Sequence, residues 1–431
     1  MCKNNSYRGM ATARIACQTS SIGINVLEKK WIIPAAAICL TAAAVSPVFA
    51  GLTTLATFDG TNGQLPVAGL TLSGGTLYGT TELGGANGYG TVFSLPVTGG
   101  TPTVLAPFDG TNGGYLEAGL TLSGSTLYGT TYSGGAFNDG TVFSLPVTGG
   151  TPTVLTSFNG ANGSHPHANL ILSGGNLYGT TYSGGVSNFG TVFSLPVTGG
   201  TPTVLASFNG TDGGSPVAGL TLSGSTLYGT TNSGGVSGQG TVFSLPVTGG
   251  TPTVLLSFDG GSAGGAPAGD LIISGGNLYG TTYYGGGAGQ GTVFSLPITG
   301  GTPTVLLPFN GTNGGGPVAG LTLSGSTLYG TTKFGGKYNA GAIFSVPIAG
   351  GPSTVLASFF NDVGANGYLP EAGLTLSGGN LYGTTSNDGV NHDGIVFSLT
   401  VPEPTTLALL AIAGSGLVLL KRGHSVGKQV E

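Results

Sequence analysis

The sequence predicts an all-β fold, a seven-bladed β-propeller built from seven tandem repeats over residues 51–400. The pentapeptide Leu-Tyr-Gly-Thr-Thr recurs seven times, at spacings of 50, 50, 50, 51, 50 and 53 residues. Its tyrosines are Tyr78, Tyr128, Tyr178, Tyr228, Tyr279, Tyr329 and Tyr382. The chain contains 87 glycines and only 6% charged residues, but it is 39% hydrophobic, which is too apolar for a disordered glycine-rich linker.

Each repeat contains four short segments in which apolar and polar residues alternate between glycine-rich turns, as in half-buried antiparallel strands. In the second copy these segments are residues 120–123, 126–131, 141–145 and 151–158. No segment of the repeats has a helical pattern. Four strands in about 50 residues correspond to one propeller blade.

The two ends of the array predict that the ring closes on itself. Residues 53–58 copy the fourth segment of a repeat, whereas the last repeat ends after its third segment, residues 395–399. Pairing the spare strand with the incomplete blade would fasten the ring. An open solenoid would leave both edges unpaired and prone to aggregation.

The first 50 residues are typical of a secretory signal peptide. Lys29 and Lys30 precede an apolar run over residues 31–45, and small residues at Val48 and Ala50 predict cleavage between Ala50 and Gly51. A later start at Met10 is an alternative. All three cysteines lie in this segment, so the repeats contain neither a disulfide nor a thiol nucleophile.

The C-terminal end predicts a second targeting signal. Val401, Pro402, Glu403 and Pro404 precede an apolar stretch over residues 405–420, which is followed by Lys421 and Arg422 and by a cytoplasmic tail, residues 423–431. This order resembles the PEP-CTERM sorting signal, which implies processing by an exosortase-like enzyme. Sixteen helical residues span roughly 24 Å, less than the ~30 Å of a bilayer core, which favours a transient anchor. A permanent membrane anchor is the alternative.

The repeat itself combines Leu-Tyr-Gly-Thr-Thr, a Gly-Gly pair and Gly-Thr-Val-Phe-Ser-Leu. It resembles the GloVer tandem repeat of exported, surface-anchored proteins over about residues 52–400. The resemblance implies a cell-surface or extracellular-matrix location and no defined activity.

Catalytic and metal-binding candidates are few. Residues 51–400 contain no arginine, and twelve acidic residues against two lysines give a formal charge of −10, which excludes nucleic acid as an expected partner. His165 and His167 could coordinate a metal ion, and His392 with Asp393 could form an acid/base pair, but each of these pairs occurs in one copy of the repeat only. Asp59, Asp109 and Asp259 are better explained by Asx turns than by calcium loops, since other copies have asparagine there. We expect no cofactor and no metal.

The tyrosine of the pentapeptide is predicted to be a packing residue, because it is the same in every copy. Variation between the copies is concentrated instead in two connections: the one that follows Thr-Thr and the one that leads into the first strand. Because strand direction alternates, both should emerge on one face of the ring. The candidate ligand-contacting residues there are Tyr115, Phe137, Tyr182, Phe189, Tyr283, Phe334, Tyr338 and Tyr368.

These observations favour a non-enzymatic structural, adhesive or binding module of the cell surface, with matrix polysaccharide or a surface protein as its partner. The alternative is a propeller glycan hydrolase or lyase that uses acidic residues of the variable face. Looser steric demands on that face would also explain the variation.

Overall fold

The computed structural model describes residues 51–360, 367–387, 389 and 391–401, and these residues form seven four-stranded antiparallel sheets. The predicted signal peptide, the Pro402 to Pro404 motif, the apolar stretch and the Lys421-Arg422 pair lie outside them. Among the described residues there is no helix whose length and apolar character would suit a membrane span.

The chain enters through one strand and then forms the blades in order. That first strand is β1 (Thr53–Thr57). Blade 1 contains β2 (Thr71–Ser73), β3 (Thr76–Thr81), β4 (Thr91–Pro96) and β5 (Thr103–Pro107). Blade 2 contains β6 (Thr121–Ser123), β7 (Thr126–Thr131), β8 (Thr141–Pro146) and β9 (Thr153–Ser157). Blade 3 contains β10 (Ile171–Ser173), β11 (Asn176–Thr181), β12 (Thr191–Pro196) and β13 (Thr203–Ser207).

The second half of the ring repeats this pattern. Blade 4 contains β14 (Thr221–Ser223), β15 (Thr226–Thr231), β16 (Thr241–Pro246) and β17 (Thr253–Ser257). Blade 5 contains β18 (Ile272–Ser274), β19 (Asn277–Thr282), β20 (Thr292–Pro297) and β21 (Thr304–Pro308). Blade 6 contains β22 (Thr322–Ser324), β23 (Thr327–Thr332), β24 (Ala342–Pro347) and β25 (Thr354–Ser358). Blade 7 contains β26 (Thr375–Ser377), β27 (Asn380–Thr385) and β28 (Ile395–Thr400).

The predicted closure is confirmed. β1 pairs antiparallel with β28, so blade 7 has the strand order β1-β28-β27-β26. The hydroxyl of Thr375 in blade 7 also donates to the carbonyl of Leu70 in blade 1, at 2.5 Å. Both ends of the repeat array are therefore held in one blade.

Apolar contacts between neighbouring blades form the core. The phenylalanine that follows each fourth strand packs edge-on against the phenylalanine in the third strand of the next blade, as Phe108 does against Phe143 at a ring-centroid distance of 5.0 Å. The same contact closes the ring between Phe58 and Phe93. Such aromatic pairs contribute about 0.5–1.5 kcal/mol beyond their burial.

The pentapeptide tyrosines have the packing role predicted from the sequence. Six of them are buried and Tyr78 is half-buried, and each belongs to an apolar cluster that joins its own blade to the next one. The glycine that follows each tyrosine is required by close packing within its own blade. A Cβ on Gly79 would lie 2.6 Å from Cζ of Phe93, its partner on the adjacent strand.

The two threonines of the pentapeptide fasten the blades through hydrogen bonds. The first donates to the next blade, as Thr80 Oγ1 does to the carbonyl of Ala118 at 2.8 Å. The second forms a hydroxyl pair within its blade, as Thr81 does with Thr91 at 2.9 Å. Thr230 is the exception, since its buried hydroxyl has no hydrogen-bond partner in the part of the chain that the structure describes.

Candidate functional site

The two variable connections of each blade lie side by side at one end of the blade, as the alternation of strand direction requires. A β-bridge joins them, for example between Gly114 and Ser133 in blade 2. We call this end of the ring the variable face. The prediction that sequence variation is concentrated on one face is thus consistent with the geometry.

A repeated pair of backbone hydrogen bonds sets the positions of the side chains on this face. In blade 3, the N–H of His165 donates to the carbonyl of Asp139 in blade 2, and the carbonyl of His165 accepts from the N–H of Tyr182. His165 adopts a positive φ of 56°, and so do most of its counterparts in the other blades. The counterparts in blades 6 and 7 are Gly316 and Leu369.

These hydrogen bonds surround a central cavity with a volume of about 750 Å³, which is lined by the segment that precedes the first strand of every blade. Ligand sites typically occupy about 300–1,000 Å³. Two rings of side chains border its opening. We define the inner ring as Val67, Glu117, His167, Val217, Ala268, Val318 and Glu371. We define the outer ring, the residues that follow Thr-Thr, as Glu82, Tyr132, Tyr182, Asn232, Tyr283, Lys333 and Ser386.

Two ion pairs lie on one side of this opening. Nε2 of His167 lies 2.6 Å from Oε2 of Glu117, which joins blades 3 and 2. Nζ of Lys333 lies 3.0 Å from Oε1 of Glu371, which joins blades 6 and 7, and the hydroxyl of Ser386 donates to the same oxygen at 3.4 Å. Glu117 and Glu371 thus each have a basic partner.

Glu82 lies between these two pairs and differs from Glu117 and Glu371 in its contacts. Its carboxyl group is partly buried and has no hydrogen bond or ion pair within the described residues. Burial raises the pKa of Glu82, and the negative charges of Glu117 and Glu371 raise it further, while His167 opposes them. A carboxyl group with a perturbed pKa in the main cavity is a typical feature of a functional site.

The opposite side of the opening is uncharged. Blades 4 to 6 contribute Val217, Ala268 and Val318 to the inner ring, and blades 4 and 5 contribute Asn232 and Tyr283 to the outer ring. At its opening, the cavity therefore has a charged arc over blades 6, 7, 1, 2 and 3 and a neutral, partly apolar arc opposite to it.

Deeper in the cavity, Asn169 and Asp270 replace glycines found in the other five blades. Asn169 donates from Nδ2 to Oδ2 of Asp270 at 3.0 Å, and the backbone N–H of Gly219 donates to Oδ1 at 2.6 Å. Burial raises the pKa of Asp270, and these two hydrogen bonds only partly offset it. The pair links blades 3, 4 and 5 below the opening.

The eight aromatic residues predicted to contact a ligand are on the variable face but outside the cavity lining. Tyr182 and Tyr283 belong to the outer ring. Phe137 and Tyr338 are the most exposed, at 61% and 52%, and Tyr115 packs edge-on against Tyr89. Phe189, Phe334 and Tyr368 lie in the same connections. These residues surround the opening without forming its wall.

The other candidates from the sequence are also separated from the cavity or from each other. His165 contacts the hydroxyl of Ser183 through Nδ1, whereas His167 pairs with Glu117, and no cluster of three or more metal-ligating side chains occurs among the described residues. Asp59 accepts hydrogen bonds from Thr61 and Asn62, as expected of an Asx turn. Asp393 is buried at the junction of blades 7 and 1 and does not line the cavity.

Sequence reasoning did not group Glu82, Glu117, Glu371 and Lys333. A usable signal was present in the chain, because these residues occupy two positions next to constant segments, the one after Thr-Thr and the one before Ala-Gly. The sequence does not show that these two positions lie next to each other in space, because this depends on how neighbouring blades are aligned.

Comparison with known proteins gives the family. A family model described as the Gloeobacter/Verrucomicrobia repeat matches residues 43–237 and 223–418. No curated protein is significantly similar to the chain in sequence.

Solved structures that the chain resembles include a protein described as a 6-phosphogluconolactonase of Bacteroides uniformis, with 18% identity and a TM-score of 0.48 over 76% of this chain and 97% of that one. The quinohemoprotein alcohol dehydrogenase of Comamonas testosteroni has 12% identity and a TM-score of 0.47 over 88% and 78% of the two chains. Similarity at this level carries no information about activity.

Proposed function

Because the chain belongs to the Gloeobacter/Verrucomicrobia repeat family, and because its propeller has a large cavity on the variable face, we propose that it is an exported, non-enzymatic binding module. Its proposed ligand is a polysaccharide of the cell surface or extracellular matrix. The observation that supports this proposal best is the cavity of about 750 Å³, which has a charged arc on one side and an apolar arc on the other.

Both arcs suit a sugar ligand. Carboxylates and Lys333 can exchange hydrogen bonds with hydroxyl groups, and Val217, Val318 and Tyr283 offer surface to the apolar face of a pyranose ring. The exposed aromatic residues around the opening would extend contact along a longer chain. Binding without chemistry requires no further group, since hydrogen bonds and apolar burial supply both orientation and affinity.

A glycan array on residues 51–401 tests this function. This segment contains all 28 strands, including the pair that closes the ring, so we expect it to fold alone. Retention of a glycan by the wild type, and its loss in Glu117→Val, would support the proposal. Valine is the residue of blades 1, 4 and 6 at this position, which makes a folding defect improbable. Silence on a broad array would contradict a glycan-binding role.

Export and sorting form the second part of the proposal. The expected signal peptide, residues 1–50, would direct the chain out of the cytoplasm, and the sorting motif with its apolar stretch would hold it in the membrane until an exosortase-like enzyme acts. Comparing the surface fraction of the full chain with that of a chain ending at Val401 tests this. Equal surface retention of both would contradict a role for the C-terminal signal.

Glycan cleavage by a hydrolase or lyase reaction is the second candidate function. The environment of Glu82 favours it. A carboxyl group whose pKa is raised by burial and by two neighbouring glutamates has an arrangement typical of a general acid. Product analysis on the glycans retained by the array separates the two functions. Turnover that disappears in Glu82→Gln while binding persists would support the enzyme, and retention without turnover would support the binding module.

A further inference from the structure

Of the three glutamate carboxyl groups at the cavity opening, that of Glu82 alone has no hydrogen-bond or ion-pair partner among the described residues. Glu117 pairs with His167 at 2.6 Å, and Glu371 pairs with Lys333 at 3.0 Å. Glu82 has no such partner among the described residues, although it is partly buried between them. A carboxyl group in this position gains most from a donor that arrives with the ligand.

The charge balance of the opening indicates which donor fits. Three glutamates face one lysine and one histidine, and the whole repeat region has a formal charge of −10. A hydroxyl group would supply a hydrogen bond but leave the negative charge in place. An ammonium group would supply the hydrogen bond and also the missing positive charge.

The neutral arc constrains the rest of the ligand. Val217, Ala268 and Val318 lie across the cavity from Glu82 and offer no charged partner. A ligand that spans the opening therefore needs a cationic group at Glu82 and a part that can pack on an apolar surface. A polyamine has no ring to pack there, whereas an amino sugar combines an ammonium group with a pyranose ring.

We propose that the cavity binds the free amine of an amino sugar, with the ammonium group seated at Glu82 between Glu117 and Glu371. This inference rests on the proposed glycan-binding function and specifies its ligand. The ligand is a polysaccharide with deacetylated amino-sugar units. Acidic polysaccharides are disfavoured by the glutamates, and fully N-acetylated ones lack the charge that Glu82 requires.

Titration calorimetry with two oligosaccharides of equal length tests the inference. The probes are the hexamers of β-1,4-linked glucosamine and of N-acetylglucosamine, both at about pH 6, where the free amine is protonated. We expect the glucosamine hexamer to bind at least about tenfold more tightly, and this difference to shrink as salt increases. Equal binding, or tighter binding of the acetylated hexamer, would overturn the inference.

Two variants separate the role of Glu82 from the general negative charge. Glu82→Asn introduces the residue of blade 4, Asn232, and should abolish the preference for the free amine. Asp259→Asn removes one negative charge from an exposed turn where blades 3, 4 and 6 already have asparagine, and it should keep the preference. A preference that survives in Glu82→Asn would contradict the proposed subsite.

The array described above distinguishes failure of this inference from failure of the proposed function. If only neutral or acidic glycans are retained, the glycan-binding function stands and the amine subsite is wrong. If no glycan is retained and neither hexamer binds, both are wrong.

Discussion

His167 and Glu117 form a charge-assisted hydrogen bond of 2.6 Å across the junction of blades 2 and 3, in the wall of the cavity. Burial alone would lower the pKa of His167, but the hydrogen bond and the charge of Glu117 outweigh it, so the net pKa is raised. The pair is thus strongest when the imidazole is protonated.

The first prediction concerns the pH dependence of this pair. A histidine whose folded pKa is raised contributes stability that is fully present below its unfolded pKa of about 6.5 and is lost as pH rises through the folded pKa. His167→Val should therefore cost up to about 1 kcal/mol in acid and much less at alkaline pH. Urea unfolding at the two pH values measures this. His165→Ser, which copies Ser215, is the control for loss of a histidine that is not paired with Glu117.

The second prediction concerns Asp270, whose pKa is raised by burial. Deprotonation of such a group destabilises the fold, so wild-type stability should decrease as pH rises from the ordinary value of 3.8 through the folded pKa. Asp270→Asn removes this titration. Relative to the wild type, the melting temperature of this variant should rise from acid to neutral pH. A constant difference across that range would show that Asp270 does not titrate differently in the folded state.

The third prediction compares two buried threonines at equivalent positions. Thr331 donates to the carbonyl of Ala372 in the next blade at 2.9 Å, whereas the hydroxyl of Thr230 has no partner within the described residues. Thr331→Val should cost about 1 kcal/mol, and Thr230→Val should cost nothing or stabilise the protein. Chemical denaturation of the two variants measures this. Equal losses would indicate that Thr230 has a partner, such as a buried water.

The difference between Thr331 and Thr230 in hydrogen bonding is related to the backbone of blade 5. The position equivalent to Ala372 is Gly269, whose backbone approaches blade 6 so closely that an added Cβ would lie 2.3 Å from the carbonyl of Ala319. This approach accompanies the loss of the hydrogen bond from blade 4. The hydrogen bond from the first threonine of the pentapeptide is therefore missing at the junction of blades 4 and 5, where Thr221 still donates to the carbonyl of Leu271.

The fourth prediction concerns ring closure by β1. Removing residues 51–58 takes away the partner of β28 and the buried ring of Phe58, so the variant should lose several kcal/mol and expose an unpaired edge. Gel filtration and thermal unfolding should show aggregation or a much lower transition. A circular permutant with residues 51–58 joined after Thr400 restores the same blade and should recover the stability. A stable, monomeric truncation would contradict the closure argument.

The sequence predicted the fold in detail because each repeat contains its own strand pattern. The expected segments 120–123 and 151–158 correspond to β6 and β9, with ends that differ by no more than two residues. The spare strand at residues 53–58 also predicted which blade would be shared. Repetition makes such patterns visible, since any accidental alternation would not occur in seven copies.

The sequence predicted that the candidate site lies on the variable face, but it did not predict which residues line the cavity. Side-chain identity drew attention to the aromatic residues of the variable connections, but burial and register determine which residues line the cavity. Glu82, Glu117 and Glu371 come from three blades, and Glu82 and Glu371 approach each other only because the ring closes. No property of any single repeat shows that relationship.

The pairing of β1 with β28 also constrains the order in which the protein matures. The first strand of the propeller to be synthesised must wait for the last one, because its partner spans residues 395–400 at the far end of the repeats. Blades 1 to 6 can form from contacts within about 50 residues, whereas blade 7 requires closure of nearly the whole chain. A polypeptide interrupted between residues 107 and 395 would contain at least one finished blade and still be incomplete. Completion of synthesis is therefore coupled to completion of the last blade.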